Sequence, residues 1–402
     1  MYAARQSALP STTGLRLAAR RLAVAAPVLV VALVLALLIG ARLADYHGNP
    51  AGFILFGRHY VQYTHPPAGA PIESPTGYDG QFYWIEANDP LLLHGSTVAD
   101  MVGPAGYHLQ RPAYPLLAYA LALGQRAALP WAMLAVNVLA VLGLTAAMAV
   151  FCRRRGWSVW WALVIGALPG LLMPTLRDLT DPLATATLLG ALLAWRSERR
   201  WAAAALLTVS VLSRETGAVA VAAILVEAVF CCVRARHSRR ELVAVLRRAW
   251  PPVVVPSAAY VAWQAYVRLA VPHPAGSVSV AATAAPAGSA TDFLAKLHPM
   301  LHGLGTAVSS WELVTVGLML AAMVVSLWLA RRGMAAGVAA LGLAAVLLLV
   351  PFDDQWGLAR YTAPLFGMLL IAGLAQRSRT ATTLAAAAAA MSVMLPWVIS
   401  GI

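Results

Sequence analysis

Charge is what this sequence has least of. Asp, Glu, Lys and Arg make up 11% of its 402 residues, while 60% are hydrophobic. The mean hydropathy is +0.72. A water-solvated domain of this length needs far more charge to cover its surface, so the bilayer is the expected solvent for most of the chain. Lysine is nearly absent, with Lys296 the only one. Cysteine is scarce too. Cys152, Cys231 and Cys232 each lie at the arginine-flanked end of an apolar run, which points to the reducing side of a membrane and against a structural disulfide. There is no Walker A loop, no GxSxG elbow and no zinc signature, so ATPase, hydrolase and metalloprotease readings lack support. His65, His94, His108, His273, His298 and His302 follow no metal-ligand spacing. No internal repeat is evident.

What charge there is carries a pattern. The formal net charge of +13 is not gathered on one soluble module, which argues against a nucleic-acid partner. The arginines fall in short tracts between apolar runs: Arg16 to Arg21, Arg153 to Arg155, Arg196 to Arg200, Arg234 to Arg248, Arg331 with Arg332, and Arg377 to Arg379. This is the distribution of cytoplasmic loops in a polytopic helical protein. The runs are too long and continuous for alternating barrel strands.

Placing every tract in the cytoplasm predicts spans near 22–44, 131–151, 157–175, 181–195, 201–213, 217–233, 251–271, 311–330, 334–351, 362–375 and 380–400. Residues 1–21 form a cytoplasmic tail, and 22–400 form one transmembrane domain. The stretch from Leu22 to Leu43 is long for a cleaved signal, so a retained helix is expected, with cleavage after Ala44 as the alternative. Because 22–44 leaves the cytoplasm and 131–151 returns to it, Pro112 to Leu129 cannot also cross. Segment 45–129 is therefore expected as one extracytoplasmic loop with two interfacial helices, one over Pro112–Leu129 and one around Gln81–Asn88. In the second, Phe82, Tyr83 and Trp84 suit a membrane interface. Residues 272–310 are expected as a flexible extracytoplasmic loop. The fold class is an all-α polytopic membrane protein with about eleven crossings.

Under this topology nearly all acids face outward, among them Asp79, Glu86, Asp89, Asp178, Asp181, Glu215, Asp353 and Asp354. Asp79 sits between Gly77-Tyr78 and Gly80-Gln81, where it either meets a ligand or caps the following helix. Asp181 precedes Pro182 at a helix start, and capping is its expected role, whereas Asp178 has no such position to fill. Arg214-Glu215 interrupts an apolar run, where the two residues pair with each other or face a polar cavity. Arg360, beside Tyr361 at the head of a span, is suited to clamp a phosphate, as is Arg111; either could instead snorkel to headgroups. Glu227 lies within a span, and helix–helix hydrogen bonding accounts for it.

These segments resemble the GT-C class of polyprenyl-phosphate-dependent glycosyltransferases. The residues that carry the resemblance are Tyr78-Asp79-Gly80-Gln81-Phe82-Tyr83, Arg111-Pro112-Ala113-Tyr114-Pro115, Asp178 to Asp181, Arg214-Glu215-Thr216-Gly217 and Arg360-Tyr361-Thr362-Ala363-Pro364. The chain is similar to bacterial cell-surface glycopolymer proteins and more distantly to GPI-type mannosyltransferases. The large soluble C-terminal domain of some members is not expected here. The resemblance implies a GT-C-like bundle in which Asp79 acts on the acceptor. It also implies that Arg360, Arg111 and Arg214 bind the donor phosphate, with Tyr78, Gln81, Asp178, Asp181, Glu215, Asp353, Asp354 and Tyr361 lining the substrate cavity. The implied partners are a polyprenyl-phosphate sugar donor, a glycan or glycolipid acceptor and membrane lipids, in the cell membrane with the site extracytoplasmic.

Burial is expected to raise the pKa of Asp79 and make it a better base. Bridging of Asp79 to Asp178 or Asp181 by a divalent cation such as magnesium is compatible with this chemistry but not required by it. A transporter or flippase of lipid-linked sugars is the competing reading; it predicts ionisable residues at mid-bilayer and paired broken helices. A noncatalytic scaffold for polymer assembly is the third.

Overall fold

The computed structural model describes residues 12–94, 106–270, 310–330, 335–348, 355–376 and Thr382. Its helices in chain order are α1 (Thr12–Asp45), α2 (Val61–Thr64), α3 (Gly80–Asn88), α4 (Ala113–Leu121), α5 (Leu129–Arg154), α6 (Ala162–Gly166) and α7 (Pro169–Thr175). They continue with α8 (Asp181–Arg196), α9 (Arg200–Ser213), α10 (Ala218–Arg234), α11 (Arg239–Ala270), α12 (Ser310–Ala330), α13 (Ala335–Leu348) and α14 (Gln355–Ala375). Most of the expected final span at 380–400, most of the 272–310 loop, and Asp353 and Asp354 lie outside the described residues.

Three stretches, Leu22–Asp45, Arg126–Arg154 and Glu215–Arg234, are long and apolar enough to cross a bilayer. On α1, Leu29, Leu33 and Leu37 are 64%, 60% and 65% exposed. An unpartnered apolar face of that size is stable against lipid rather than water. The chain is thus a helical membrane protein. At 1.5 Å per residue, α8 and α9 are about 24 and 21 Å long, short of a hydrocarbon core of about 30 Å.

Chain direction sorts the charges. Helices α5, α8 and α10 end at Arg154, Arg196 and Arg234, while α9 and α11 begin at Arg200 and Arg239. These three arginine tracts therefore collect at one end of the bundle. The turns holding Asp178–Asp181 and Arg214–Glu215 lie at the other.

Several expectations are corrected. Residues 157–175 do not form one span: α6 stops at Gly166 and α7 starts at Pro169, with Leu168 extended (φ −62°, ψ 128°) between them. A proline disfavours helical geometry in the residue before it and donates no N–H, which explains the break. Helix α11 starts at Arg239, well before 251, and runs through Pro251, Pro252 and Pro256. Helix α14 starts at Gln355, so Arg360 lies in its second turn and not at its head.

Segment 45–129 is also more than a loop bearing interfacial helices. It packs a core of its own, including Phe56, Tyr83, Trp84 and Tyr114, against α5. Tyr83 and Trp84 are fully buried, and the Trp84 indole N–H donates to the Thr64 carbonyl at 3.0 Å, so α3 does not display them as membrane anchors. A short parallel pairing of β1 (Phe56–Gly57) with β2 (Ile72–Ser74) departs from the all-α expectation. Helix α4 covers only Ala113–Leu121, about 14 Å, and cannot cross. It buries Tyr114 and Ala118 and exposes Leu117 and Leu121.

The main core joins α5 and α8 to α10, α13 and α14. Glu227 serves helix–helix contact: its carboxylate accepts the N–H of Ala335, the first residue of α13, at 2.7 Å.

Candidate active site

The site begins with how Asp79 is held. Gly77 takes a left-handed φ of +65°, which a side chain disfavours. At Gly80 an added Cβ would meet the carbonyl oxygens of Arg177 at 2.7 Å and Ile54 at 2.8 Å. The close approach permitted by these glycines is to the chain's own backbone, not to a ligand. Gly80→Ala should therefore lower stability by about 1–3 kcal/mol, since the obstacle is backbone and cannot swing away. An unchanged thermal unfolding temperature would refute this. Gln81 completes the mounting. Its Oε1 accepts the Gly57 N–H at 3.0 Å and its Nε2 donates to the Thr76 carbonyl at 2.8 Å. It is fully buried, so it holds the loop and does not line a substrate cavity.

Asp79 stands at the N-cap position of α3 yet makes no side-chain capping bond. Its Oδ2 lies 3.8 Å from Arg360 Nη2 and its Oδ1 3.7 Å from His108 Nε2. Burial alone would raise its pKa. The close His108 imidazole, with the Arg360 and Arg111 charges adding to it, outweighs burial and holds the carboxyl at about 2. The expected upward shift is thus reversed, and Asp79 is ionised at rest.

Arg360 reaches Asp79 from the far end of the sequence. Its Nη1 donates to the Tyr78 hydroxyl at 2.8 Å and its Nη2 to Asp181 Oδ2 at 3.0 Å, while its carbon lies 5.7 Å from both the Tyr78 and Tyr361 ring centres. Asp181, at the first turn of α8, does not cap it; the Asp181 carboxylate bridges Arg360 to Arg214 instead. The Arg214 guanidinium stacks over Tyr361 at 4.7 Å. Arg214 and Glu215 do not pair with each other. Glu215 takes a two-pronged grip on Arg111, with both bonds at 3.1 Å, and Arg111 also donates to the Tyr83 hydroxyl at 3.2 Å. Neither Arg111 nor Arg360 snorkels: each side chain is 11% exposed.

Three guanidiniums, from Arg111, Arg214 and Arg360, therefore face three carboxylates, from Asp79, Asp181 and Glu215. The Nε atoms of Arg214 and Arg360 are buried and have no hydrogen-bond partner among the described residues. Buried donors left unused are costly, and a ligand acceptor would satisfy them. Asp79 and Glu215, 30% and 42% exposed, open the cluster to the surroundings. A narrow crevice continues from Tyr78, Arg177 and Arg360 along the broken stretch from Pro169 to Pro174.

Asp178 does not join the cluster. It is fully buried in a left-handed turn (φ +47°), its Oδ1 3.5 Å from the Tyr114 hydroxyl. Where a cation bridging Asp79 and Asp181 was conceivable, the Arg360 guanidinium stands between them. No group of three metal-ligating side chains occurs among the described residues.

Sequence reasoning missed His108, which packs between Phe82 and Tyr83 at ring distances of 4.8 and 5.1 Å. It also missed the burial of Glu86, whose carboxyl lies one helical turn beyond Tyr83 and is pushed well above the usual carboxylate range by loss of water. Neither carried a motif; only the packing of His108 against α3 brings it to Asp79. No protein-family model, curated protein or solved structure matches this chain.

Proposed function

We propose that this protein is a GT-C-type glycosyltransferase of the cell membrane, with about eleven crossings. In this reading it moves a sugar from a polyprenyl-phosphate donor to the hydroxyl of a glycan or glycolipid acceptor on the extracytoplasmic face. What carries the reading is that Asp79, Asp181, Arg214 and Arg360, from four distant stretches, meet in one ion network at the bundle end away from the arginine tracts. A transporter is expected to hold its ionisable groups at mid-bilayer, whereas these four stand at or near helix ends.

The acceptor hydroxyl donates to ionised Asp79, which orients its oxygen toward the anomeric carbon of the donor sugar. The new carbon–oxygen bond forms as the bond to the phosphate breaks, with inversion, through an oxocarbenium-like transition state that nearby carboxylates stabilise. The donor phosphate takes the unused Nε donors of Arg360 and Arg214, and these offset the negative charge that grows as it leaves. As Arg360 turns toward the phosphate, Asp79 loses part of the positive field that lowers its proton affinity. It then accepts the hydroxyl proton more readily. Activation of the base is thereby coupled to donor binding.

The test is to incubate the purified protein with polyprenyl-phosphate sugars and candidate acceptors and to identify products by mass spectrometry. Release of polyprenyl phosphate matched by glycosylated acceptor of inverted configuration is expected. Movement of the intact lipid-linked sugar across a vesicle membrane without bond cleavage would support the transporter reading instead.

A further inference from the structure

A second cavity lies away from the ion network. It is a groove of about 960 Å³ walled by α5, α8 and α9, with Leu117 and Leu121 of α4 at one end, and it runs toward the arginine-rich end of the bundle. Small residues hollow out its walls, Gly143 and Ala147 on α5 and Gly190 on α8. They are not there to bring helices together. A Cβ added at Gly143 would meet nothing within 4 Å, and one at Gly190 would make only ordinary contact with Leu206 at 3.5 Å. From Leu183 to Ser197 the groove follows α8 for about 21 Å, longer than the roughly 15 Å depth of one bilayer leaflet.

Its mouth is basic. Arg154, ending α5, and Arg199, preceding α9, both line it, and both are exposed. Neither side chain has a hydrogen bond or ion pair among the described residues. Nearby arginines are occupied: Arg200 donates to the Arg247 carbonyl at 2.7 Å, and Arg248 donates to the Trp195 carbonyl at 3.1 Å.

We propose that this groove is a binding site for an anionic phospholipid of the leaflet on the arginine-rich side, with one acyl chain along α8 and the headgroup phosphate between Arg154 and Arg199. A guanidinium binds phosphate oxygens through paired N–H donors, and the low charge of the walls suits a hydrocarbon chain and nothing more polar. The charge at the mouth selects an anionic over a zwitterionic headgroup. The site lies at the opposite end of the bundle from Asp79 and does not depend on the proposed catalytic activity.

Native mass spectrometry of the detergent-purified full chain tests this by titration with phosphatidylglycerol, with phosphatidylcholine of the same chains, and with polyprenyl phosphate. Phosphatidylglycerol is expected to bind about tenfold or more tightly than phosphatidylcholine, and R154A/R199A should erase that preference. Gly143→Phe should fill the groove and abolish tight binding of phosphatidylglycerol, with the fold retained because a Cβ at this position meets nothing within 4 Å. Equal affinity for the two phospholipids overturns the proposal. So does unchanged phosphatidylglycerol binding in Gly143→Phe. Displacement of phosphatidylglycerol by polyprenyl phosphate would overturn it in favour of an isoprenoid occupant.

Discussion

Asp79→Asn should lower kcat/KM for sugar transfer by about 100- to 10,000-fold, the range associated with loss of a positioned acid–base group. The protein should remain folded and inserted. Asp79 is partly exposed, and its contact with Arg360, at 3.8 Å, is the loosest in the cluster. Arg360 keeps Asp181 and Tyr78 when the charge at position 79 is removed. The amide preserves shape and still accepts a hydrogen bond, so the loss isolates charge and proton affinity. Initial rates on membranes with equal protein content measure it, and transfer within about threefold of wild type would remove Asp79 from the reaction. The pH profile makes a second check. A carboxyl held at about 2 is ionised at every higher pH, so protonation of Asp79 should not reduce wild-type kcat/KM between pH 4 and 7. An acid limb with a midpoint near pH 6 would assign the essential base to another group.

How much of this was legible in the sequence follows from the range of the interactions concerned. The helical membrane class, and the stretches Leu22–Asp45, Arg126–Arg154 and Glu215–Arg234 in particular, were readable because lipid imposes a length and an apolarity on any crossing helix. Asp79, Arg111, Asp181, Arg214, Glu215 and Arg360 were readable because a charge beside apolar helices is costly unless something answers it. What answers each was not readable. Arg214 and Glu215 are adjacent in sequence yet bind Asp181 and Arg111, because helix ends and not sequence neighbours decide which side chains meet. Tyr83 and Trp84 have interfacial character by type but lie in the core of a compact segment, and composition alone does not separate the two fates. The lowered pKa of Asp79 depends on His108, and no local pattern announced that histidine. The break before Pro169 was visible in the residue itself; a long apolar run outvoted it.

Arg360→Ala should weaken donor binding by about 10- to 100-fold, equivalent to the 1.5–3 kcal/mol typical of hydrogen bonds to a charged group, and should affect the acceptor much less. Two competing consequences decide how this variant is read. Removing Arg360 takes away a phosphate ligand, but it also takes one of two arginines from the buried Asp181, and breaking a buried pair destabilises. Arg214 remains on Asp181, so the residual charge is still answered and the fold should persist. Arg360→Lys separates the effects further: it restores the positive charge near Asp181 but not the planar fork, so it should recover stability and only part of the donor affinity. The same variants report on the coupling between donor and base. Without Arg360 one of the charges depressing Asp79 is gone, its pKa moves upward from about 2, and any acid limb in kcat/KM shifts to higher pH. Donor affinity is measured by equilibrium binding of a nonhydrolysable polyprenyl-phosphate analogue, and acceptor dependence by KM. Donor affinity unchanged in Arg360→Ala, with the protein folded, would mean that Arg360 only neutralises Asp79 and Asp181; the phosphate would then have to be held elsewhere, and the link between donor binding and base strength would be lost with it.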